Sequence, residues 1–321
     1  MLKLMNFSTY QYDIERFNYD YKKLEEFLEK NNMDGIELLK PLMWQEETIS
    51  KNVIKGIHLS YYPSWIDFWH GNQKELLRQF GDIDSIKKYY GDIKKDIIVE
   101  NYRKEIEVAD RLGAEYVVFH VSHVQLEHSY NYKFNYSDSE IIEATAELIN
   151  EVFKGLNTNI KLLFENLWWP GLTMLDKNMA LTLLEKVNYS NKGFMLDTAH
   201  LMNTNHHLED EEQGIKYLLK VVKDLGDLKK FIKGIHLNYS LSGKYIIEQI
   251  EKNNKNKLTL KEMNENIYRH VMNIDRHKPF SNKMIKSLVE LINPEYVIYE
   301  FITSSLNELE EYIKIQHNAL S

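Results

Sequence analysis

The feature that most constrains the fold is a repeating unit, in which a short apolar run precedes a longer amphipathic segment, about eight times in 321 residues. Nearly continuous apolar runs of this length are typical of parallel strands buried on both faces. Strand–helix alternation predicts a parallel sheet, and eight units favour a closed α/β barrel, the (β/α)8 TIM barrel, over an open sheet. The predicted strands are Leu2–Phe7, Gly35–Leu39, Val53–Leu59, Tyr116–His120, Lys161–Glu165, Gly193–Asp197, Ile232–Leu237 and Tyr296–Glu300.

The segments between these runs mostly have the spacing of amphipathic helices. No Gly-rich phosphate loop follows a strand, which argues against a nucleotide-binding Rossmann domain. We expect a single TIM-barrel domain over residues 1–321, with a helical insertion at about residues 240–273. Within that insertion, Lys252–Lys257 is predicted to be a solvated turn between two helices. The predicted helices are Tyr21–Lys30, Asp96–Leu112, Ser139–Phe153, Met179–Val187, Gly214–Leu225, Lys283–Ile292 and Asn307–Ile315.

Composition narrows the possible chemistry. Hydrophobic residues make up 43% of the chain, enough to bury a core, and there is no cysteine. Any bound metal must therefore be held by His, Asp and Glu. No stretch approaches the ~20 apolar residues of a membrane helix, and the first residues lack a signal-peptide pattern, so a cytoplasmic protein with no membrane partner is expected. The net charge of −8 argues against a protein that coats DNA, which needs a cationic surface.

Six consecutive predicted strands end in or beside His, Asp or Glu. A charged or imidazole side chain at a buried strand end is costly unless something satisfies it. One such histidine is more often a hydrogen-bonded core residue than a ligand. In a barrel, however, all these strand ends meet at one rim, where catalytic residues gather. Imidazoles and carboxylates together suit Zn²⁺, Mn²⁺, Co²⁺ or Fe²⁺. The residues are His58, His120, Glu165, Asp197 with His200, His236 and Glu300, and Asp275 and His277 add two ligand types before the last strand.

These motifs resemble the xylose-isomerase-like barrels, and among them the endonuclease IV branch (AP endonuclease family 2), over roughly residues 35 to 301. The motifs are His58 with Tyr61, His120, Glu165-Asn166, Asp197-Thr198-Ala199-His200, His236-Leu237-Asn238, Asp275-Arg276-His277 and Glu300. The resemblance implies three zinc ions. His58, His120 and Glu165 would hold one, a bridging Glu165 with Asp197, His236 and Glu300 a second, and His200, Asp275 and His277 a third. It also places Trp44, Tyr61, Asn166, Asn238 and Arg276 toward the substrate.

The chain departs from that family in the loops expected to face the substrate. Leu42 stands where the family has an arginine, and Val121-Ser122 replaces a Pro-Gly pair. Trp168 and Trp169 replace a glycine-rich stretch after Glu165-Asn166. Binding to a DNA backbone needs cations and close approach. The sequence therefore predicts a retained metal centre with a smaller, partly apolar substrate, so that DNA is possible but disfavoured.

Three classes of function stay open from the sequence. The leading hypothesis is a divalent-metal-dependent phosphoester hydrolase with up to three ions, zinc first and manganese, cobalt or iron as alternatives. The second is a sugar or sugar-phosphate isomerase or epimerase with one metal, in which Glu165 and Glu300 are the catalytic carboxylates that move a proton between carbons and Trp168 and Trp169 stack on the sugar. The third is a non-catalytic metabolite-binding module. The sequence does not identify the substrate, the metal or the oligomeric state.

Other residues near the rim are expected to lie outside the site. His123, His128, His206 and His207 follow strands but match no motif, so they are interpreted as loop residues. Trp65 and Trp69 lie in the long loop after His58, and the interpretation favoured is that they cover the pocket rather than pack against a partner subunit.

Overall fold

A computed structural model describes residues 1–321 and contains eight parallel strands that close into a barrel in chain order. The last strand pairs with the first, so the sheet has no free edge. This confirms the predicted (β/α)8 barrel. Three strands have the predicted bounds, and the others differ by one residue at one or both ends. The strands are β1 Leu2–Ser8, β2 Gly35–Leu39, β3 Ile54–His58, β4 Tyr116–His120, β5 Lys161–Glu165, β6 Lys192–Asp197, β7 Ile232–His236 and β8 Tyr296–Tyr299.

The strand register carries the polar strand ends to one level of the barrel. His120 at the end of β4 pairs with Glu165 at the end of β5. Asp197 at the end of β6 likewise pairs with His236 at the end of β7. Because parallel strands finish at the same edge of a sheet, these side chains meet at the C-terminal rim.

Fifteen α-helices accompany the strands. Several begin at the residues that helix N-termini favour: Ser137 and Thr259 each form a capping box with the glutamate three residues later. None of these helices is both long enough and apolar enough to span a lipid bilayer. The helices are α1 Gln11–Arg16, α2 Tyr21–Lys30, α3 Ile66–Trp69, α4 Gln73–Phe80, α5 Ile83–Tyr90, α6 Asp96–Leu112, α7 Leu126–Asn131, α8 Asp138–Phe153, α9 Lys177–Lys186, α10 Thr198–Asn203, α11 Glu211–Asp224, α12 Gly243–Lys255, α13 Leu260–Ile274, α14 Ile285–Ile292 and α15 Leu306–Leu320.

The barrel interior below the rim is packed with side chains. Side chains alternate along a strand, so a residue two positions before a rim residue points inward as well. Val118, Leu163 and Met195 stand at such positions and belong to a separate seven-residue apolar cluster that also includes Tyr116 and Tyr296. A larger cluster of 68 buried residues includes strand side chains of the opposite parity and the core-facing sides of the surrounding helices. The rim side chains therefore rest on a filled barrel.

The insertion after β7 consists of two helices, α12 and α13, as predicted, but the turn between them is shorter than expected. Helix α12 continues through Lys255, because its lysine and asparagine residues include no Gly or Pro to stop it. Only residues 256–259 connect the two helices. The side-chain oxygen of Asn253 accepts a hydrogen bond from the Leu258 amide at 3.2 Å and closes this turn.

Helices α7, α12 and α13 pack against one another on the C-terminal side of the barrel. Beneath them lies an apolar cluster that combines the loops after β4 and β5 with the two inserted helices. We call these three helices and this cluster the roof. The cluster comprises Val124, Leu167, Trp168, Trp169, Ile246 and Ile274.

Candidate metal centre

Glu165 is the hub of the site, because its carboxylate faces four imidazoles. One oxygen, Oε2, lies 3.1 Å from Nε2 of His58 and 3.2 Å from Nε2 of His120. The other, Oε1, lies 3.0 Å from Nδ1 of His236 and 3.4 Å from Nδ1 of His200. Glu165 is fully buried at the end of β5, between its neighbours β4 and β6. A buried carboxylate surrounded in this way can bridge two cations.

Two of the three predicted ligand sets come together as compact groups. His58, His120 and Glu165 form one, with ligand atoms all within 4.8 Å of one another. The second group meets the same limit and consists of Glu165, Asp197, His236 and Glu300. In it, Nδ1 of His236 lies 3.2 Å from Oε2 of Glu300 and 3.9 Å from Oδ2 of Asp197.

The third predicted set is more open and is joined through one oxygen of Asp275. Its Oδ2 lies 3.1 Å from Nε2 of His200 and 2.7 Å from Nε2 of His277. His200 is placed by the start of α10, where the side chain of Asp197 caps the helix by accepting from the His200 amide at 2.6 Å. The start of α10 therefore fixes both Asp197 and His200, which belong to different predicted ligand sets.

Three of the imidazoles are oriented by backbone carbonyls that lie within hydrogen-bond distance of Nδ1. Nδ1 of His58 lies 3.1 Å from the Leu59 carbonyl, Nδ1 of His200 2.8 Å from the Asn166 carbonyl, and Nδ1 of His277 3.1 Å from the Glu300 carbonyl. A carbonyl only accepts, so we assign the hydrogen to these nitrogens. Each neutral ring then turns a lone pair toward a carboxylate oxygen about 3 Å away, and two acceptors at that distance need a proton or a cation between them. The donor set therefore fits a divalent metal.

Electrostatics support the same conclusion. Burial alone would lower the pKa of His58, but the hydrogen bond and charge of Glu165 raise that pKa to about 9. For His277, burial is likewise outweighed by the charges of Asp275 and Glu300, and its pKa rises to about 10. Burial raises the pKa of Asp197 to about 7, against the opposing charge of His200. Positive charge is thus strongly favoured here, and a metal can replace these protons.

Two buried carboxylate oxygens of the centre have no hydrogen-bond partner. They are Oδ1 of Asp275 and Oε2 of Glu300. Buried polar atoms are nearly always satisfied, so a pair of free carboxylate oxygens beside imidazoles is a second sign that the residues are arranged for a cation.

Glu37 is a site residue that analysis of the strand ends misses, because it lies in the middle of β2. Its Oε1 lies 2.9 Å from Nε2 of His236, and its Oε2 accepts a hydrogen bond from the Tyr116 hydroxyl at 2.8 Å. The side chain is fully buried. In the sequence, Glu37 could have been noticed only as the one carboxylate inside the otherwise apolar run Gly35–Leu39.

The two asparagines predicted to face the substrate hold the end of β6. Asn166 exchanges two hydrogen bonds with the Asp197 backbone, accepting from its amide at 2.9 Å and donating to its carbonyl at 3.0 Å. The side-chain amide of Asn238 donates to Oδ2 of Asp197 at 2.8 Å. Both therefore orient Asp197, a predicted ligand, and contact with a substrate stays a prediction.

Aromatic side chains line the ligands on the roof side. The Tyr61 ring lies 4.6 Å from that of His120, and the Trp168 ring meets His200 edge-on at 5.0 Å. Trp169 packs on Trp168 at 4.6 Å. The hydroxyl of Tyr61 and both indole nitrogens are buried without a hydrogen-bond partner. The wall is thus mainly apolar.

Trp44 and Arg276, the other two predicted substrate residues, are engaged elsewhere. The Trp44 indole donates to the Ile49 carbonyl at 2.8 Å within its own loop. Arg276 is exposed, and its Nε donates to the Asn273 carbonyl at the end of α13. Neither side chain makes a hydrogen bond to the nine predicted ligands, so the roles of Trp44 and Arg276 in substrate binding stay predictions.

Trp65 and Trp69 do not cover the pocket, contrary to the interpretation favoured from sequence. They are only 4% and 5% exposed. The Trp65 indole donates to the Ser122 carbonyl and that of Trp69 to Glu147 on α8, because the short helix α3 turns both rings into the core. His123 is also structural, since its Nδ1 accepts from the amides of Trp65 and Ile66.

A large cleft lies beside the predicted ligands rather than among them. It has a volume of about 870 Å³ and is bounded by α4, α5, α7 and α13. None of the nine predicted ligands lines it, but Trp169 and Val124 of the roof do. The paired indoles of Trp168 and Trp169 therefore separate this cleft from His200.

Comparison with known proteins gives the following matches. A model of the family described as a xylose isomerase-like TIM barrel matches residues 54–300. Endonuclease IV from Thermus thermophilus superposes with a TM-score of 0.56 at 13% identity, covering 100% of this chain and 99% of that chain. The IOLI protein with a binding zinc atom has a TM-score of 0.53 at 17% identity, covering 99% and 96%. The 3-keto-D-glucoside 4-epimerase YcjR from E. coli has a TM-score of 0.51 at 11% identity, covering 99% and 98%.

No curated protein sequence matches the chain. At such low identities, the structural likenesses establish a common fold. That fold is shared by a nuclease, a zinc-containing protein and an epimerase.

Proposed function

The chain belongs to the xylose isomerase-like TIM-barrel family, and on that premise we propose that it is a divalent-metal-dependent phosphoester hydrolase. The observation that carries the proposal is the third ligand set, in which Asp275 joins His200 and His277. This set lies next to the bridging Glu165, since His200 contacts both carboxylates. A single-metal enzyme would not need these three residues to hold its ion.

The proposed ligands are nine. His58, His120 and Glu165 would hold one ion. Glu165, Asp197, His236 and Glu300 would hold a second, and His200, Asp275 and His277 a third. Zinc suits this set best, and manganese, cobalt or iron are alternatives. When bound, such ions polarise phosphoryl oxygens and make water acidic enough to act as a nucleophile near neutral pH.

The chain's own residues supply charge balance, orientation and exclusion of water. Five neutral imidazoles and four carboxylates leave part of the ions' positive charge uncompensated, which attracts an anionic substrate. The hydrogen bonds that Asn166 and Asn238 donate to Asp197 keep that ligand in place. Trp168 and Tyr61, beside His200 and His120, keep the surroundings apolar and strengthen electrostatic interactions within them.

The roof supports a small substrate in preference to duplex DNA. Helices α7, α12 and α13 pack together on the rim side, where a duplex would have to approach. The exposed Arg276 is bonded to its own helix end, and Leu42 supplies no positive charge for a DNA backbone. The rings of Tyr61, Trp168 and Trp169 suit a compact, partly apolar phosphoester.

The test combines metal content with hydrolysis of small phosphomonoesters and phosphodiesters that release a chromophore. We expect more than one metal ion per chain and metal-dependent phosphate release. Asp275→Asn should reduce the rate about 100-fold or more, because it removes the residue that joins the third set. Asp224→Asn, on the exposed side of α11, is the matched control and should leave the rate unchanged. Saturation with one ion or none, or full activity in Asp275→Asn, would refute the proposal.

A second candidate is a sugar or sugar-phosphate isomerase or epimerase. The compact group of Glu165, Asp197, His236 and Glu300 favours it, because one ion and two carboxylates are enough to move a proton beside a carbonyl. Here Glu165 and Glu300 would be the catalytic carboxylates. Incorporation of solvent deuterium at carbon in ketoses and aldoses distinguishes the two. Exchange that survives Asp275→Asn would support the isomerase, and a hydrolase should show no exchange.

A further inference from the structure

We propose that Glu37 is a positioning residue for the metal centre: it fixes the ring of His236 and increases the ring's strength as a ligand. The inference rests on the proposed metal function. It adds to the nine ligands a residue on β2, a strand that supplies none of them.

The geometry of His236 singles out Glu37. The ring is fully buried, and its two nitrogens face carboxylates on opposite sides. Nδ1 faces the ligand group, 3.0 Å from Glu165 and 3.2 Å from Glu300. Nε2 faces only Glu37, at 2.9 Å. Among the ligand imidazoles, His236 is the one whose outer nitrogen meets a charged acceptor, whereas His58, His200 and His277 use backbone carbonyls there.

Glu37 is itself held in place from inside the barrel. Its second oxygen accepts from the hydroxyl of Tyr116, a fully buried residue at the start of β4. The Tyr116 ring lies across Gly56 on β3, where a Cβ atom would overlap the ring. Glycine at position 56 is therefore needed for the phenol to reach Glu37, and three neighbouring strands cooperate in one contact.

This arrangement has a direct effect on metal binding. A carboxylate that accepts from Nε2–H fixes the tautomer, so the Nδ1 lone pair faces Glu165 and Glu300. It also increases the basicity of the ring through partial transfer of negative charge. Burying the Glu37 carboxylate without a nearby cation is costly in free energy. Two hydrogen bonds alone offset only part of this desolvation cost. A cation held through His236 supplies the missing attraction.

Glu37→Gln tests the proposal, because glutamine has the same shape and can still accept from Nε2–H while donating to Tyr116. We expect zinc affinity, measured by competition with a chromogenic chelator, to fall about 10- to 100-fold with the number of bound ions unchanged. Glu37→Leu removes the acceptor, and ¹⁵N spectra of histidine-labelled, zinc-loaded protein should then show that the Nε2–H signal of His236 loses its hydrogen-bonded shift.

Glu115→Gln is the matched control. This glutamate also accepts from a barrel tyrosine, Tyr296, at 2.8 Å, but meets no ligand imidazole. Its zinc affinity should equal that of the wild type. Equal affinity in Glu37→Gln would overturn the proposal, and so would complete loss of one bound ion, since Glu37 would then be a ligand. Failure of the wild-type protein to bind zinc would refute the proposed function instead.

Discussion

At the scale of single residues, Glu165 carries the largest predicted effect, because two ligand sets share it. Glu165→Gln keeps the shape but removes the bridging charge between His58, His120 and His236. Loss of a residue that only hydrogen-bonds to a metal ligand typically lowers metal affinity by up to about 100-fold. We expect a larger loss for Glu165→Gln. Metal analysis after dialysis measures it. Glu105→Gln, a buried glutamate bound to Ser60, is the control. Unchanged metal content in Glu165→Gln would contradict the shared-ligand geometry.

Protonation of the ligands predicts how metal affinity depends on pH. In the metal-free protein, His58 and His277 have pKa values raised to about 9 and about 10. Both rings are therefore protonated at neutral pH and must lose a proton to bind a metal. Affinity should increase as pH rises from about 6 to about 9, with protons released on binding. Calorimetry in buffers of different ionisation enthalpy counts those protons. A pH-independent affinity, or no proton release, would show that these rings are not ligands.

The rim residues were accessible from sequence because a strand end is visible as the end of an apolar run. Searching for polar residues at or just after these strand ends located the four histidines that face Glu165 in the structure. The strand-end rule did not predict Glu37, because nothing in the sequence shows that a carboxylate in the middle of one strand contacts an imidazole from a distant strand. Trp44 and Arg276 show the opposite limit: a motif position does not tell whether a long side chain turns toward the pocket or toward its own backbone.

At the scale of elements, strands were predictable to within one residue at each end because burial on both faces leaves long apolar runs. Helix ends were less regular. The start of α11 lies three residues earlier than predicted, at Glu211, because Asp210 caps it through a side-chain bond to Gln213. The packing of α12 and α13 on α7 was not predictable, since an amphipathic pattern does not name the partner of its apolar face.

The docking of α12 at its first residue can be tested by a pair of glycine substitutions. A Cβ at Gly243 would overlap the backbone carbonyl of His206, whereas one at Gly214 in α11 would meet the flexible end of Met202. Gly243→Ala should therefore lower the free energy of unfolding by about 1–3 kcal/mol. Gly214→Ala should be close to neutral, because about 1 kcal/mol of improved helix propensity offsets the shift of Met202. Urea denaturation measures both, and equal stability would argue against tight docking of α12.

At the scale of the whole molecule, metal binding and folding should be coupled. The ligands come from β3 to β8 and the segments that follow them, so the sites exist only in the closed barrel. Zinc at about 100 times its dissociation constant should stabilise the fold by about 2.7 kcal/mol per independent site. Thermal melting with zinc and with a chelator checks this. Glu165→Gln should show a smaller difference, and an equal difference would mean that zinc binds elsewhere.

If the centre binds metal ions, the roof should set how fast those ions exchange with solution. The predicted ligands are at most 13% exposed and lie below packed helices, so a bound ion would have few paths to solution. Departure would then require α12 and α13 to swing away, a local opening whose frequency is set by their packing. Such a protein would keep the ions it acquired while folding, and a chelator would remove them over hours rather than seconds. The metal found in the purified protein would then depend on which ions were abundant while the chain folded.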